Sequence, residues 1–140
     1  MDFKNKRHQI AFTEAVKKMN RADQTLMSAV YLCTADQKLW AKASRHIGFS
    51  QIDFDNIKLT DSTENAYTLL GCAKDLTLGT QHITISDMAD SELISTKLFR
   101  LICNAMVICR DGLGDIDLDR MEQSTRNPVS RLMKRNRLRD

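Results

Sequence analysis

Apolar residues recur at helical spacing in the first third of the chain. Within residues 4–20 the stripe consists of His8, Phe12, Ala15, Val16 and Met19. Charged residues fill the other side, a pattern that predicts an amphipathic helix packed by this stripe. After the candidate N-cap Asp23, the run Leu26–Cys33 is apolar nearly all round, which is typical of a helix in the centre of a bundle.

Two further helices are predicted in the middle of the chain. Thr34 and Gln37 match a capping box, and the helix that they begin carries Leu39, Trp40, Ala43 and Ile47 before Gly48 ends it. Trp40 is expected in the core, with anchoring of a partner as the alternative. The other helix is capped by Asp61 or Ser62 and ends at Gly79, and its stripe consists of Ala66, Tyr67, Leu69, Leu70, Ala73 and Leu76.

The connections around these helices also have a pattern. Residues 49–60 carry apolar side chains at irregular spacing, which favours a packed loop, whereas residues 80–86 alternate apolar and polar and allow a short extended piece. Asp90 is expected to cap the last long helix, which runs to about Arg110 and ends at Gly112 and Gly114.

The last helix completes the predicted fold. Its apolar residues cover most of its circumference, so we expect it at the centre of the core. The sequence therefore predicts an all-α fold, a compact bundle of about five helices with a central helix near 91–110 and a basic C-terminal extension. The expected division is a helical domain, 1–113, followed by an acidic linker and basic segment, 114–140.

Composition supports this fold and narrows the setting. The chain of 140 residues is 42% hydrophobic and has five Gly and one Pro, few for many strands joined by tight turns. We expect a cytoplasmic protein without a membrane span, because no apolar run reaches the roughly 18 residues needed and no signal peptide is recognisable. The four cysteines are widely spaced among apolar neighbours and there are three His, so we expect reduced, inert thiols and no metal or cofactor.

The net charge of +3 is unevenly distributed. Residues 126–140 hold six of the 21 bases against one acid, which leaves 15 bases and 17 acids in the rest. The candidate binding residues of this tail are Arg131, Lys134, Arg135, Arg137 and Arg139. They could neutralise nucleic-acid phosphates or, since Val129, Leu132, Met133 and Leu138 suggest a basic amphipathic helix, dock on an acidic protein surface. A tail without a specific role is the third interpretation.

Two polar clusters suggest chemistry. Lys74, Asp75, Thr80 and His82 bracket a helix end and could form an acid-base site, although ordinary helix-end contacts account for them if Asp75 faces water. We therefore predict no catalytic residue. Asp115, Asp117 and Asp119 begin like a calcium loop, but Arg120 and Arg126 stand where glycine and glutamate are required, so an acidic linker is expected.

Three stretches of the chain resemble a known family. They are Tyr31–Asp36, Lys74–Ile83 and Glu92–Ile102, and together they are similar to a domain of unknown function from Gram-positive bacteria and their mobile elements. The resemblance covers about residues 5–113 and excludes the basic tail. It implies no activity or site residue, but the mobile-element setting suggests a protein that binds and blocks a host component.

These observations give three functional hypotheses. The first is a non-enzymatic interaction protein that recognises a protein partner and could also form a homodimer. The second is a nucleic-acid-associated regulator that uses the basic tail. The third is a small enzyme built around Lys74, Asp75 and His82.

Overall fold

Helices joined by short loops account for the part of the chain that the computed structural model describes, residues 2–113. The six α-helices are α1 (Lys6–Val16), α2 (Gln24–Thr34), α3 (Gln37–Ala43), α4 (Glu64–Leu78), α5 (Ile85–Met88) and α6 (Thr96–Asp111). Two 3-10 turns occupy Ser44–His46 and Phe54–Asn56. Within these residues there is no strand beyond an isolated bridge between Ile47 and Ile52, and the predicted all-α fold is confirmed.

Helix α2 lies at the centre of the fold. Every residue from Leu26 to Thr34 is buried, and α2 packs against α1, α3, α4 and α6. The last helix was also expected at the centre, but it begins at Thr96, covers one side of α2 and touches α4 less extensively. One face of α6 is therefore buried, whereas Phe99, Met106 and Val107 on its outer side are exposed.

The helix starts follow capping chemistry, but several caps differ from the prediction. Asp23 caps α2 as predicted, because its carboxylate accepts a hydrogen bond from the Leu26 amide at 3.1 Å. The predicted Thr34 cap is wrong. Asp36 caps α3, while the Thr34 hydroxyl donates within α2 to the Val30 carbonyl at 2.8 Å. Two side chains with capping ability lay two residues apart, and α2 simply continues through the first.

Corrections of one to five residues apply to two other predicted helix starts. Thr63, not Asp61 or Ser62, caps α4, and Ser95, not Asp90, caps α6. Gly79 ends α4 in the left-handed conformation with φ 72° and Gly112 ends α6, both as predicted. Gly48 does not end α3, which stops at Ala43 and tightens into the turn Ser44–His46.

The two connections differ in how well they were predicted. Residues 49–60 form the expected packed loop, with Phe54, Ile57 and Leu59 buried, although Phe49 is exposed. The extended piece predicted for residues 80–86 is wrong. Thr84 and Asp87 form a capping box that begins α5, a preference that outweighs the alternation of a few residues.

A polar and aromatic cluster fastens the N-terminus to the core. His8 is fully buried beside Phe3 and Tyr31, and its Nδ1 accepts a hydrogen bond from the Lys4 amide at 3.0 Å. Its Nε2 therefore carries the proton and donates to the Tyr31 carbonyl at 2.8 Å. The Tyr31 hydroxyl donates to the Asp2 carbonyl and accepts from Asn104 of α6. Burial lowers the pKa of His8 to about 4, so the ring is neutral at pH 7.

Candidate functional site

The predicted polar cluster at the end of α4 is assembled around one carboxylate. Asp75 Oδ1 accepts hydrogen bonds from the Thr80 hydroxyl at 2.7 Å, the His82 amide at 2.8 Å and His82 Nδ1 at 3.0 Å. Its Oδ2 accepts from the Ile83 amide at 2.8 Å. Asp75 does not face water as expected, because its side chain is 16% exposed and closes the loop that follows Gly79. We call Asp75, Thr80, His82 and Ile83 the Asp75 loop.

The electrostatics of Asp75 reflect this bonding. Burial alone would raise the pKa of the carboxyl, but hydrogen bonds from His82, Ile83 and Thr80 outweigh it and lower the pKa below the ordinary value of 3.8. The carboxylate is therefore ionised at neutral pH, and its hydrogen bonds stabilise the turn between α4 and α5.

Lys74 and His82 line a common cavity beside this loop. It has a volume of about 280 Å³ and is walled mainly by Ile57, Leu59, Tyr67 and Leu70. Lys74 makes no hydrogen bond or ion pair with Asp75 in the described part of the chain. The hydroxyl nearest the His82 ring is that of Thr80, at 3.0 Å from Nδ1, and it also donates to Asp75. Asp75, Thr80 and His82 therefore hold the loop together. No hydrogen bond joins His82 Nε2 to a hydroxyl or thiol in residues 2–113 that it could activate as a nucleophile.

The thiols are arranged as structural groups. Cys33 and Cys72 are buried, and burial raises the pKa of each to about 12, which removes the reactive thiolate at pH 7. Cys103 and Cys109 are half-buried on α6. Among residues 2–113, no three His, Cys, Asp or Glu side chains come together in a way that could hold a metal ion.

The outer side of α6 carries an apolar stripe that the structure leaves uncovered. Its members follow one another at intervals of four, three and one residues, and they are Phe99, Cys103, Met106 and Val107. Phe99, Met106 and Val107 are 40%, 49% and 56% exposed, and Cys103 is half-buried. We call these four residues the outer stripe. The sequence pattern assigned Phe99 and Met106 to the core, because periodicity does not show how many neighbours a helix has.

Basic side chains flank the outer stripe. Lys97, Arg100 and Arg110 are exposed on the same helix, whose one acid is Asp111. Asp111 lies 3.8 Å from Arg110 Nε, in an exposed pair that contributes little. The surface of α6 therefore combines an apolar stripe with exposed positive charge beside it and at its C-terminal end.

A second positive surface lies on α3, and the sequence analysis missed it. A concavity of about 460 Å³ is lined by Lys38, Ala41, Lys42, Arg45, His46, Asn56, Lys58, Asp61 and Ser62. We call it the basic concavity. Lys38, Lys42 and Arg45 stand four and three residues apart, the spacing of one helix face, which is the signal that could have found them. Lys58 could not be assigned to the same surface from sequence, because it comes from the loop before α4.

The opposite side of α3 is less polar. Trp40, predicted in the core, is only half-buried and lines a cavity of about 340 Å³ together with Ile47, Met19 and the exposed Phe49. Trp40 packs against the core with part of its surface, so its predicted place in the core is confirmed only in part, and anchoring of a partner stays a prediction.

Comparisons with known proteins give no further identification. No protein-family profile, curated protein or solved structure matches this chain. No helix among residues 2–113 is long and apolar enough to cross a membrane. The tail residues Arg131, Lys134, Arg135, Arg137 and Arg139, like the acidic linker, lie outside the described residues.

Proposed function

We propose that this protein is a non-enzymatic interaction protein that binds a protein partner through the outer stripe of α6. The observation that carries the proposal is an apolar helix face with three strongly exposed side chains, Phe99, Met106 and Val107. A scattered apolar residue on a surface is ordinary, but a contiguous apolar patch with a polar margin is typical of an interface.

The spacing of the outer stripe defines how a partner would dock. Phe99, Cys103 and Val107 follow one another at intervals of four residues, and Met106 lies three residues from Cys103. The four side chains therefore share one face of the helix, which fits a groove or a second apolar helix. Phe99 and Met106 are the expected anchors, because aromatic residues and methionine are enriched in interface cores.

Charge favours a partner other than a second copy. Three bases lie near the stripe, Lys97, Arg100 and Arg110, and Asp111 is the one acid on α6 that offsets their positive charge. Two copies packed symmetrically by this face would therefore bring like charges together. The partner surface is therefore an apolar strip bordered by carboxylates. The stretches that resemble a domain of unknown function from Gram-positive bacteria and their mobile elements favour, by association only, a host protein as that partner.

The nucleic-acid and enzyme hypotheses differ in how much support the described residues give them. Nucleic-acid binding by the tail stays a prediction on residues outside the described part of the chain. Catalysis by Lys74, Asp75 and His82 loses support, because Asp75 already accepts four hydrogen bonds from its own loop.

A paired-variant capture experiment tests the proposal. Three forms of the protein are used to capture proteins from an extract of its native organism. They are the full chain, a Met106→Lys/Val107→Lys variant and a control Leu78→Lys/Ile85→Lys variant. The control adds the same charge at exposed apolar positions of α4 and α5. We expect a partner whose recovery falls roughly tenfold or more with the α6 variant alone, and whose purified form reproduces that loss.

Two results would contradict the proposal. One is that no protein depends on the α6 pair more than on the control pair. The other is a homodimer, seen by sedimentation, that only the α6 variant dissociates, because the stripe would then serve a second copy of the chain.

A further inference from the structure

The basic concavity brings four strong bases together from two segments of the chain. Lys38, Lys42 and Arg45 come from α3 and the turn after it, and Lys58 comes from the loop before α4. Asp61 is the one acid among the lining residues. From this arrangement we infer that the basic concavity binds the sugar-phosphate backbone of a duplex nucleic acid, a function independent of the outer stripe.

Most of this positive charge is not used inside the protein. Lys38, Arg45 and Lys58 are exposed and form no ion pair or side-chain hydrogen bond with any residue in 2–113. Like charges held at one surface repel one another, so an anion bound among them relieves an unfavourable interaction.

Lys42 holds the concavity in shape. Its ammonium group donates to the Thr60 carbonyl at 2.8 Å and the Ser62 hydroxyl at 3.0 Å, and so ties α3 to the loop before α4. A lysine has three N–H donors, so one remains for a ligand. The lining loop contains Asp61 in the left-handed region, φ 60°, a conformation that is uncommon for residues other than glycine.

The chemistry of the lining favours phosphate over a protein surface. Ala41 is the only apolar residue among the nine that line the concavity, so no large apolar or aromatic side chain is present to hold the anchor of a protein partner. Asn56 and Ser62 add polar side chains of the kinds that contact phosphate and sugar oxygens together with Lys and Arg.

Duplex backbone fits better than single-stranded bases. The concavity has no Phe, Tyr or Trp on which a base could stack, whereas sites for single strands combine positive charge with aromatic side chains. Binding should therefore be independent of sequence and should weaken steeply with salt, because it releases counterions.

The test measures binding of the full chain to a short fluorescent DNA duplex of mixed sequence, from roughly 50 to 200 mM salt. One variant, Lys38→Gln/Arg45→Gln/Lys58→Gln, removes three exposed bases of the concavity. A control, Lys6→Gln/Lys97→Gln/Arg100→Gln, removes three exposed bases from α1 and α6. A third variant replaces Arg131, Lys134, Arg135, Arg137 and Arg139 by Gln to isolate the tail.

We expect the concavity variant to bind more weakly than the control and its log-log salt slope to fall by two to three, since each phosphate contact contributes about 0.9. The tail variant should still bind duplex through the concavity. Its affinity should therefore fall further when the three concavity bases are also replaced. The inference is overturned if the wild type does not bind duplex, if concavity and control variants lose affinity equally, or if only the tail variant loses it. Tighter binding of poly-glutamate than of duplex, lost in the concavity variant, would also overturn it, because the ligand would then be an acidic protein.

Discussion

The Asp75 loop and the basic concavity both gather polar and charged side chains, but the protein uses them in opposite ways. In the Asp75 loop, one carboxylate accepts four hydrogen bonds from three neighbouring residues, and its pKa is lowered as a result. In the basic concavity, three of the four strong bases meet no partner within the described chain.

The difference shows how to distinguish structural from functional polarity. A polar group whose hydrogen-bonding capacity is filled by its own chain stabilises the fold, and losing it leaves other groups without a partner. A charged group without an internal partner contributes little to stability and remains available to a ligand.

His8 extends the structural class into the core and should give the largest effect. Its folded pKa is about 4 against an ordinary value of 6.5, so the unfolded chain binds more protons between these pH values. The contribution of His8 to the free energy of unfolding is therefore fully present above pH 6.5. It is lost as the pH drops towards 4, by up to about 3 kcal/mol. Urea unfolding across this range measures the loss.

Replacement of the buried ring tests this assignment. His8→Gln should lose the dependence on pH between 6.5 and 4 that the wild type shows, and it should be less stable at pH 7. Equal slopes for wild type and His8→Gln would show that His8 is not held neutral by the core.

Asp75→Asn should destabilise the protein by about 2 kcal/mol, because the amide cannot accept on its nitrogen side and the charge-assisted bonds are lost. Urea unfolding at pH 7 measures the change. Asp55→Asn is the matched control, since Asp55 is exposed and has no hydrogen-bonding side-chain partner in residues 2–113. A loss no greater than that of Asp55→Asn would remove Asp75 from the structural class.

Lys42 lies between the two classes and should show an intermediate effect. Lys42→Met keeps the aliphatic stem but removes the bonds to Thr60 and Ser62, and we expect a loss of about 1 kcal/mol. Lys38→Met, one turn earlier on the same face, provides the comparison in the same unfolding measurement. If the two variants were equally stable, Lys42 would not tie α3 to the loop before α4.

The Lys38→Gln/Arg45→Gln/Lys58→Gln variant should change the free energy of unfolding least, by no more than about 0.5 kcal/mol. Relief of repulsion among the bases could even stabilise it slightly. Thermal and urea unfolding would check this. A loss above about 1 kcal/mol would mean that these bases support the fold, and the contrast with Asp75 would fail.

The sequence predicted the positions of the helices better than it predicted which helices pack together. The apolar run from Leu26 to Cys33 correctly indicated a helix buried on all sides, and Asp23, Gly79 and Gly112 were correctly assigned to helix ends, because these signals are local. The start of α6 was missed by five residues, since Asp90 and Ser95 are both good caps and only packing decides between them.

The candidate surfaces depended on information that one dimension does not contain. Asp75 and His82 were recognised as a cluster because they are near in sequence, but that the carboxylate points inward depends on the fold of the loop. Lys58 joins Lys38 only through the packing of the loop before α4. The outer stripe was visible as apolar positions, yet its exposure follows from α2, and not α6, being the central helix.

Titration of the full chain with duplex DNA, followed by amide chemical shifts, separates the two kinds of polar surface. We expect the largest changes on residues 38–46 and 56–62 and none in the Asp75 loop, and we expect the shifts to diminish with salt. Changes centred on residues 75–83, or confined to residues beyond 113, would contradict this expectation.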